Sequence, residues 1–240
     1  MGELKYRNNK LIAIVIVIAL GMVSFIGVNL GLAKETMNTN QIGIKKILID
    51  SGHGGMDGGT SSKNGTVEKD INLSVAKKLK VSLQKAGYEV VMTREDDTEL
   101  SSKKGTIREK YREDLTNRCN LKKSSNCDMF VSIHLNYFTE SKYYGAQVWY
   151  SSYKDSATFA GILQKNFRVD LDANNKRVPK PAKTSYKILR ENDDMASVIV
   201  ECGFLSNYDE EQKLKSNEYQ ERISNSISKS ISEYFKGTAE

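Results

Sequence analysis

Three short runs, Ile47-Leu48-Ile49, Met129-Phe130-Val131-Ser132-Ile133 and Val198-Ile199-Val200, are apolar at almost every consecutive position. A strand with apolar side chains on both faces must be covered on both faces, as in the central strands of a layered α/β sheet. Between the runs the period changes. Ile71, Val75, Leu79, Leu83 and Ala86 recur at helical spacing, and Gly87 follows as a C-terminal cap. Tyr88 to Thr93 reads as a second strand and Ala146 to Tyr150 as a fourth. Arg108 to Lys123 reads as a charged helix with Tyr111, Leu115 and Cys119 on its inner face. Thr158 to Val169 and Tyr219 to Phe235 complete the helices. Strands separated by helices predict an α/β fold. Its central sheet is mostly parallel or mixed, with helices on both faces, in a single domain over 44–237.

The start of the chain reads differently. Leu11 to Ala33 carries no charge and is long enough to cross a bilayer as a helix. Lys5, Arg7 and Lys10 precede it, which orients residue 1 towards the cytoplasm and everything after the run outside. Gly31-Leu32-Ala33 has the small-x-small form of a signal-peptidase site. Residues 1–33 therefore read as a membrane anchor if uncleaved or a signal peptide if cleaved. A polar linker follows at 34–43, and the globular part is exported in either case.

About 200 residues remain beyond the leader, enough for one buried domain and too few for a substantial second module. Of the formal net charge of +6, the leader holds +2, so the domain carries +4. That excess suits an anionic surface such as a cell wall. Nucleic acid is not an expected partner, because the basic residues are interspersed with acidic ones, as in Lys103–Glu113, without an aromatic stripe. Cys119, Cys127 and Cys202 show no C-x-x-C spacing and read as small buried hydrophobes.

In such a sheet, ligands gather beyond the carboxyl ends of the strands. The first strand runs into Asp50-Ser51-Gly52-His53-Gly54-Gly55 and the third into His134-Leu135-Asn136. A later strand runs into Glu201-Cys202-Gly203, and Glu68 opens the helix after the first loop. Both histidines of the chain thus fall at strand ends near carboxylates. Two histidines and one carboxylate, with a fourth position for water, make a catalytic zinc set. Taken singly, each residue has a plainer reading: a loop histidine, a hydrogen-bonded core histidine, a carboxylate at a helix N-terminus. Glu201 is harder to dismiss, since apolar neighbours make an unpaired carboxylate costly there. The glycine-rich loop is no dinucleotide fingerprint, because Asp57 stands where the third glycine belongs.

The run Ile49 to Gly55, then Glu68-Lys69-Asp70-Ile71-Asn72-Leu73 and Thr93-Arg94, resembles N-acetylmuramoyl-L-alanine amidases of the amidase 3 type. So do Phe130 to Asn136 and Val200 to Asn207. The resemblance covers the chain from about Lys45 to Phe235 and implies His53, Glu68 and His134 as ligands of Zn2+, with Glu201 as catalytic acid/base. It implies peptidoglycan as substrate. Ser51 departs from the proline usual in that loop, from which we expect one less fixed dihedral and no chemical change. Gly105 to Arg118 resembles the charged stretch of spore-cortex amidases of the CwlD type. That likeness implies a step towards muramic-δ-lactam in the forespore cortex space, with a protein activator from the sporulation pathway. A general autolysin, a zinc carboxypeptidase or endopeptidase, and a non-catalytic wall-binding domain are the rivals. Asn136 and Arg190 are candidate substrate contacts, with structural roles equally open.

Overall fold

The computed structural model describes residues 43–102 and 104–238. The leader at 1–33 and the linker as far as residue 42 lie outside them. Among the described residues no helix is long and apolar enough to cross a membrane. Six strands among the described residues form one mixed sheet: β1 (Lys46–Ser51), β2 (Glu89–Met92), β3 (Met129–Asn136), β4 (Gln147–Tyr150), β5 (Lys180–Pro181) and β6 (Ala196–Phe204). Their order is β2-β1-β3-β6-β4-β5. The strands β2, β1, β3 and β6 run parallel, and β4 runs against β6. Around the sheet lie α1 (Glu68–Lys85), α2 (Ile107–Ser124), α3 (Ser156–Asp170), α4 (Lys187–Arg190), α5 (Tyr208–Lys215) and α6 (Asn217–Gly237).

The pleat sorts the apolar runs onto two cores. Ile47, Ile49, Val131, Ile133, Val198 and Val200 share one with Leu79 and Leu83 of α1, Phe159 and Phe167 of α3, and Ile223, Ile227 and Ile231 of α6. Leu48, Phe130 and Ile199 point the other way, to Cys119 of α2 and to Ile188 and Leu189 of α4. Phe159, Leu163 and Phe167 are 0% exposed, and each such side chain stabilises the fold by about 1.5–3 kcal/mol. All three cysteines are free and buried. Burial pushes the Cys119 thiol up to about 11, so it is no thiolate nucleophile.

In α1 the expected stripe is buried at Ile71, Val75, Leu79 and Leu83, whereas Ala86 lies beyond the last turn and is exposed. Gly87 takes φ +90°, and the amides of Gly87 and Tyr88 close onto the carbonyls of Gln84 and Leu83. The inner face of α2 departs from the sequence expectation. Cys119 is buried and Leu115 packs against the same core as expected, but Tyr111 is 44% exposed, and Arg118 and Lys122 are buried. The reason is polar: Arg118 meets Asp50, and Lys122 donates to the carbonyls of Ile188 and Glu191, partners that an apolar period cannot reveal. The elements β5, α4 and α5 had no sequence counterpart, the first two being a single pair and a single turn.

Candidate metal and active site

β1 and β3 are paired in register as far as Ser51 and Ile133, and the amide of Gly52 donates to the Ile133 carbonyl at 3.1 Å. Beyond this point the chain turns sharply, and His53 adopts φ +62°. A non-glycine residue there carries strain of about 1–3 kcal/mol. The turn brings the His53 ring to the start of α1 and to the end of β3. His53 Nε2 lies 3.2 Å from Glu68 Oε1, and His134 Nδ1 lies 3.1 Å from the same oxygen. One ligating atom from each of His53, Glu68 and His134 falls within 4.8 Å of the others. The three residues that sequence reasoning singled out as ligands are thus brought together.

Close packing is needed for this. A Cβ on Gly52 would stand 2.4 Å from the His134 ring. One on Gly59 would stand 2.6 Å from both Glu68 Oε2 and the His53 ring.

Two of the three donors are oriented from behind. His53 Nδ1 is 2.7 Å from Asp57 Oδ2, which leaves Nε2 facing Glu68. Glu68 Oε1 accepts from the Leu135 amide at 3.0 Å, and Oε2 from the Thr60 amide at 2.8 Å. Burial would lower His53, but Asp57 and Glu68 outweigh it and push it up to about 10. Burial would raise Glu68, and the two histidines instead hold it well below the usual carboxylate range.

Glu201 sits on β6 in register with His134 of β3. It is 8% exposed, and its Oε2 is buried with no hydrogen-bond partner. Burial pushes it up to about 7; Glu68 adds to the rise, while His134 and His53 oppose it. A carboxyl poised near neutrality beside a cluster of nitrogen and oxygen donors is suited to move protons.

Two buried arginines stand behind the His53 turn. Arg94 donates to the carbonyls of Ser51 (2.9 Å), Gly52 (3.0 Å) and Lys69 (2.9 Å). Arg118 donates to the carbonyls of Ser51 (2.8 Å) and His53 (2.6 Å), and pairs with Asp50 and Asp114, both at 2.6 Å. Of these supporting groups, Thr93-Arg94 entered the sequence reading only as part of a motif, and Asp57 only as an interruption of a glycine pattern. Asp50 and Arg118 carried no signal of their own.

The secondary candidates fare differently. Asn136 ends β3 and accepts the Leu205 amide through its carbonyl. Arg190 is exposed and donates to the Thr184 carbonyl, a local contact. Ser51 ends β1 rather than lying in the loop, and its amide donates to Thr93 Oγ1 at 3.2 Å, a bond that a proline could not make.

Residues 47–233 match the family model described as N-acetylmuramoyl-L-alanine amidase. The chain is 38% identical over 194 residues to a germination-specific N-acetylmuramoyl-L-alanine amidase of Bacillus subtilis, covering 80% of each. Among solved structures, it is 42% identical to the CwlD amidase of Clostridioides difficile, solved in complex with the GerS lipoprotein. The TM-score is 0.78 over 80% of this chain and 99% of that one. The catalytic domain of CwlV from Bacillus (Paenibacillus) polymyxa is 30% identical, with a TM-score of 0.69 over 80% of this chain and 99% of that one.

Proposed function

The chain belongs to the N-acetylmuramoyl-L-alanine amidase family, and on that premise we propose that His53, Glu68 and His134 hold Zn2+ while Glu201 carries the proton. The enzyme is a peptidoglycan amidase, which acts on the bond between the lactyl group of N-acetylmuramic acid and L-alanine. The observation that carries the site assignment is the convergence of the three donors within 4.8 Å, with Glu201 in register beside His134.

The donor set fits the ion. Two imidazole nitrogens and one carboxylate oxygen are ligands that Zn2+ takes, with Asp57 behind one of them. Bound there, Zn2+ supplies Lewis acidity, polarising the scissile carbonyl and making water nucleophilic at neutral pH. Glu201, ionised, takes a proton from the attacking water and returns it to the leaving alanine nitrogen. One water is consumed, the C–N bond breaks, and the products are a lactyl carboxylate and a peptide with a free amino terminus.

The test is product analysis by mass spectrometry after digestion of peptidoglycan with the 44–237 domain. Free L-alanine amino termini, lost on chelation and restored by zinc, are expected. A zinc carboxypeptidase or endopeptidase would leave the lactyl amide intact.

Within the family we assign the enzyme to spore-cortex peptidoglycan, on its likeness to the germination-specific and CwlD amidases. Removal of the peptide is then the first step towards muramic-δ-lactam, and a separate deacetylase frees the amine that closes the ring. By the same likeness, a lipoprotein is the kind of partner to expect outside the membrane, because the CwlD structure is a complex with one. The leader at 1–33 would export the domain, as an anchor or as a cleaved signal. Mass spectrometry of cortex from a deletion strain tests this. Unchanged lactam with normal germination would return the reading to a general autolysin.

A further inference from the structure

We propose that Arg118 of α2 is a positioning residue for His53, setting the imidazole in place through the backbone. A carbonyl held in direction fixes its whole peptide plane, and two fixed planes flanking one Cα leave that residue no freedom in φ or ψ. The planes on either side of His53 carry the carbonyls of Gly52 and His53. Arg94 holds the first at 3.0 Å and Arg118 the second at 2.6 Å. The plane before these, at Ser51, is held by both guanidiniums, at 2.9 and 2.8 Å. His53 lies at φ +62°, a conformation that its own Cβ disfavours, so contacts that hold its flanking carbonyls help to keep it there.

Arg118 can do this because it is itself fixed. Asp50 on β1 and Asp114 one helical turn back take its other donors at 2.6 Å each, and its side chain is 4% exposed. A guanidinium offers five donors in a rigid fork, and this one spans Asp50, Asp114 and two carbonyls at once. A lysine at the same place is a single point of charge. It can neutralise Asp50, and it cannot also hold the His53 carbonyl in a fixed direction. The charged helix thus delivers, from the face of the sheet opposite α1, the contact that sets His53 Nε2 towards Glu68.

The metal part of this inference rests on the zinc role given to His53 above, so its test has one arm without metal. In the metal-free Arg118→Lys domain, long-range 1H–15N spectra of its two histidines report whether Nδ1 of His53 keeps its bond to Asp57. The His53 signals should shift or split, with His134 and the circular dichroism unchanged. In the second arm, zinc is titrated against a chelator of known affinity. Arg118→Lys should weaken binding by about 10- to 100-fold, the size of effect seen when an outer partner of a ligand is lost. Asp114→Asn, which frees one anchor of Arg118, should shift both readouts the same way by less. Asn166→Ala, which removes buried bonds between α3 and α6, is the stability control and should leave zinc affinity unchanged. Unaltered His53 signals, or an equal loss of zinc affinity in the control, would overturn the proposal. A wild-type domain that takes up no zinc would overturn the metal reading instead, with the spectra still deciding the role of Arg118.

Discussion

His134 and Glu201 stand side by side in register on the parallel strands β3 and β6, one offering a nitrogen to the donor cluster and the other a buried oxygen without a partner. A burial cost of this kind persists in a fold when the group has work to do. Glu201→Gln keeps the shape and removes the basic oxygen. Peptidoglycan hydrolysis should fall by about two or more orders of magnitude, while zinc content by metal analysis stays at the wild-type level. Loss of zinc in this variant would make Glu201 a ligand, and near-normal turnover would place the base elsewhere.

With Glu201 as the proposed base, the same carboxyl should set the acid side of the pH profile. Burial pushes Glu201 up to about 7, and it accepts a proton only when ionised. Activity therefore falls as pH drops through its pKa. A divalent cation held by the neighbouring triad favours the ionised form, so kcat/KM of the zinc enzyme should lose its acid limb somewhat below 7. The residual rate of Glu201→Gln should show no such limb. A profile of the same shape in both proteins would assign the limb to another group.

On the proposed zinc assignment, metal and protons would compete at the triad. Asp57 and Glu68 push His53 up to about 10 against the effect of burial, so near neutrality the imidazole holds a proton that a cation must displace. Zinc uptake by the metal-free domain should release protons, measurable as a dependence of the calorimetric heat on buffer ionisation, and affinity should fall as pH falls. Replacing His53, Glu68 or His134 by alanine should each abolish stoichiometric zinc. Full retention in any one of them would remove that residue from the ligand set.

The main layers of the fold and the two histidines could be read from the residues, for physical reasons that also explain the gaps, while the resemblance supplied Glu68 as the third donor. Continuous runs such as Ile47 to Ile49 and Val198 to Val200 admit few environments other than a sheet covered on both sides. The buried stripe of α1 repeats at every turn, so its period is visible. The histidines could be placed because they end strands, where the topology gathers ligands. Arg118 and Lys122 of α2 escaped because their partners are carbonyls and a carboxylate far off in the chain, and a charged residue in a helix reads as solvated unless that partner is known. Tyr111 was misplaced to the inside by the same logic, since an aromatic at helical spacing reads as core. Asp57 lies 2.7 Å from Nδ1 of His53, yet in the sequence it is one acid in a glycine loop.

Gly59 offers a steric test that leaves every charge in place. It takes φ +68°, and an added Cβ would stand 2.6 Å from Glu68 Oε2 and from the His53 ring. Gly59→Ala should displace both donors and weaken zinc binding. Gly65→Ala is the matched control, since Gly65 lies at φ +83° with no atom near its Cβ position and shares the backbone strain without the clash. Equal zinc affinity in the two variants would show that contact with Glu68 and His53 is not what Gly59 protects.

The Asp50–Arg118 pair should be visible in acid. Burial alone would raise the Asp50 carboxyl, but Arg118 outweighs it, with His134 and the Ser132 hydroxyl adding to the fall, and Asp50 is held down to about 2. In the unfolded chain its value is the ordinary 3.8. A depressed folded value means that the ionised form favours folding. The contribution, about 2 kcal/mol, is present above pH 4 and is lost as pH falls from 4 towards 2. Asp50→Asn removes this dependence and leaves the guanidinium buried beside a neutral amide, so it should be less stable than wild type at pH 7. The gap between the two proteins in urea unfolding should then narrow steadily below pH 4. A gap that stays constant down to pH 2 would mean that Asp50 is not the ionised partner of Arg118.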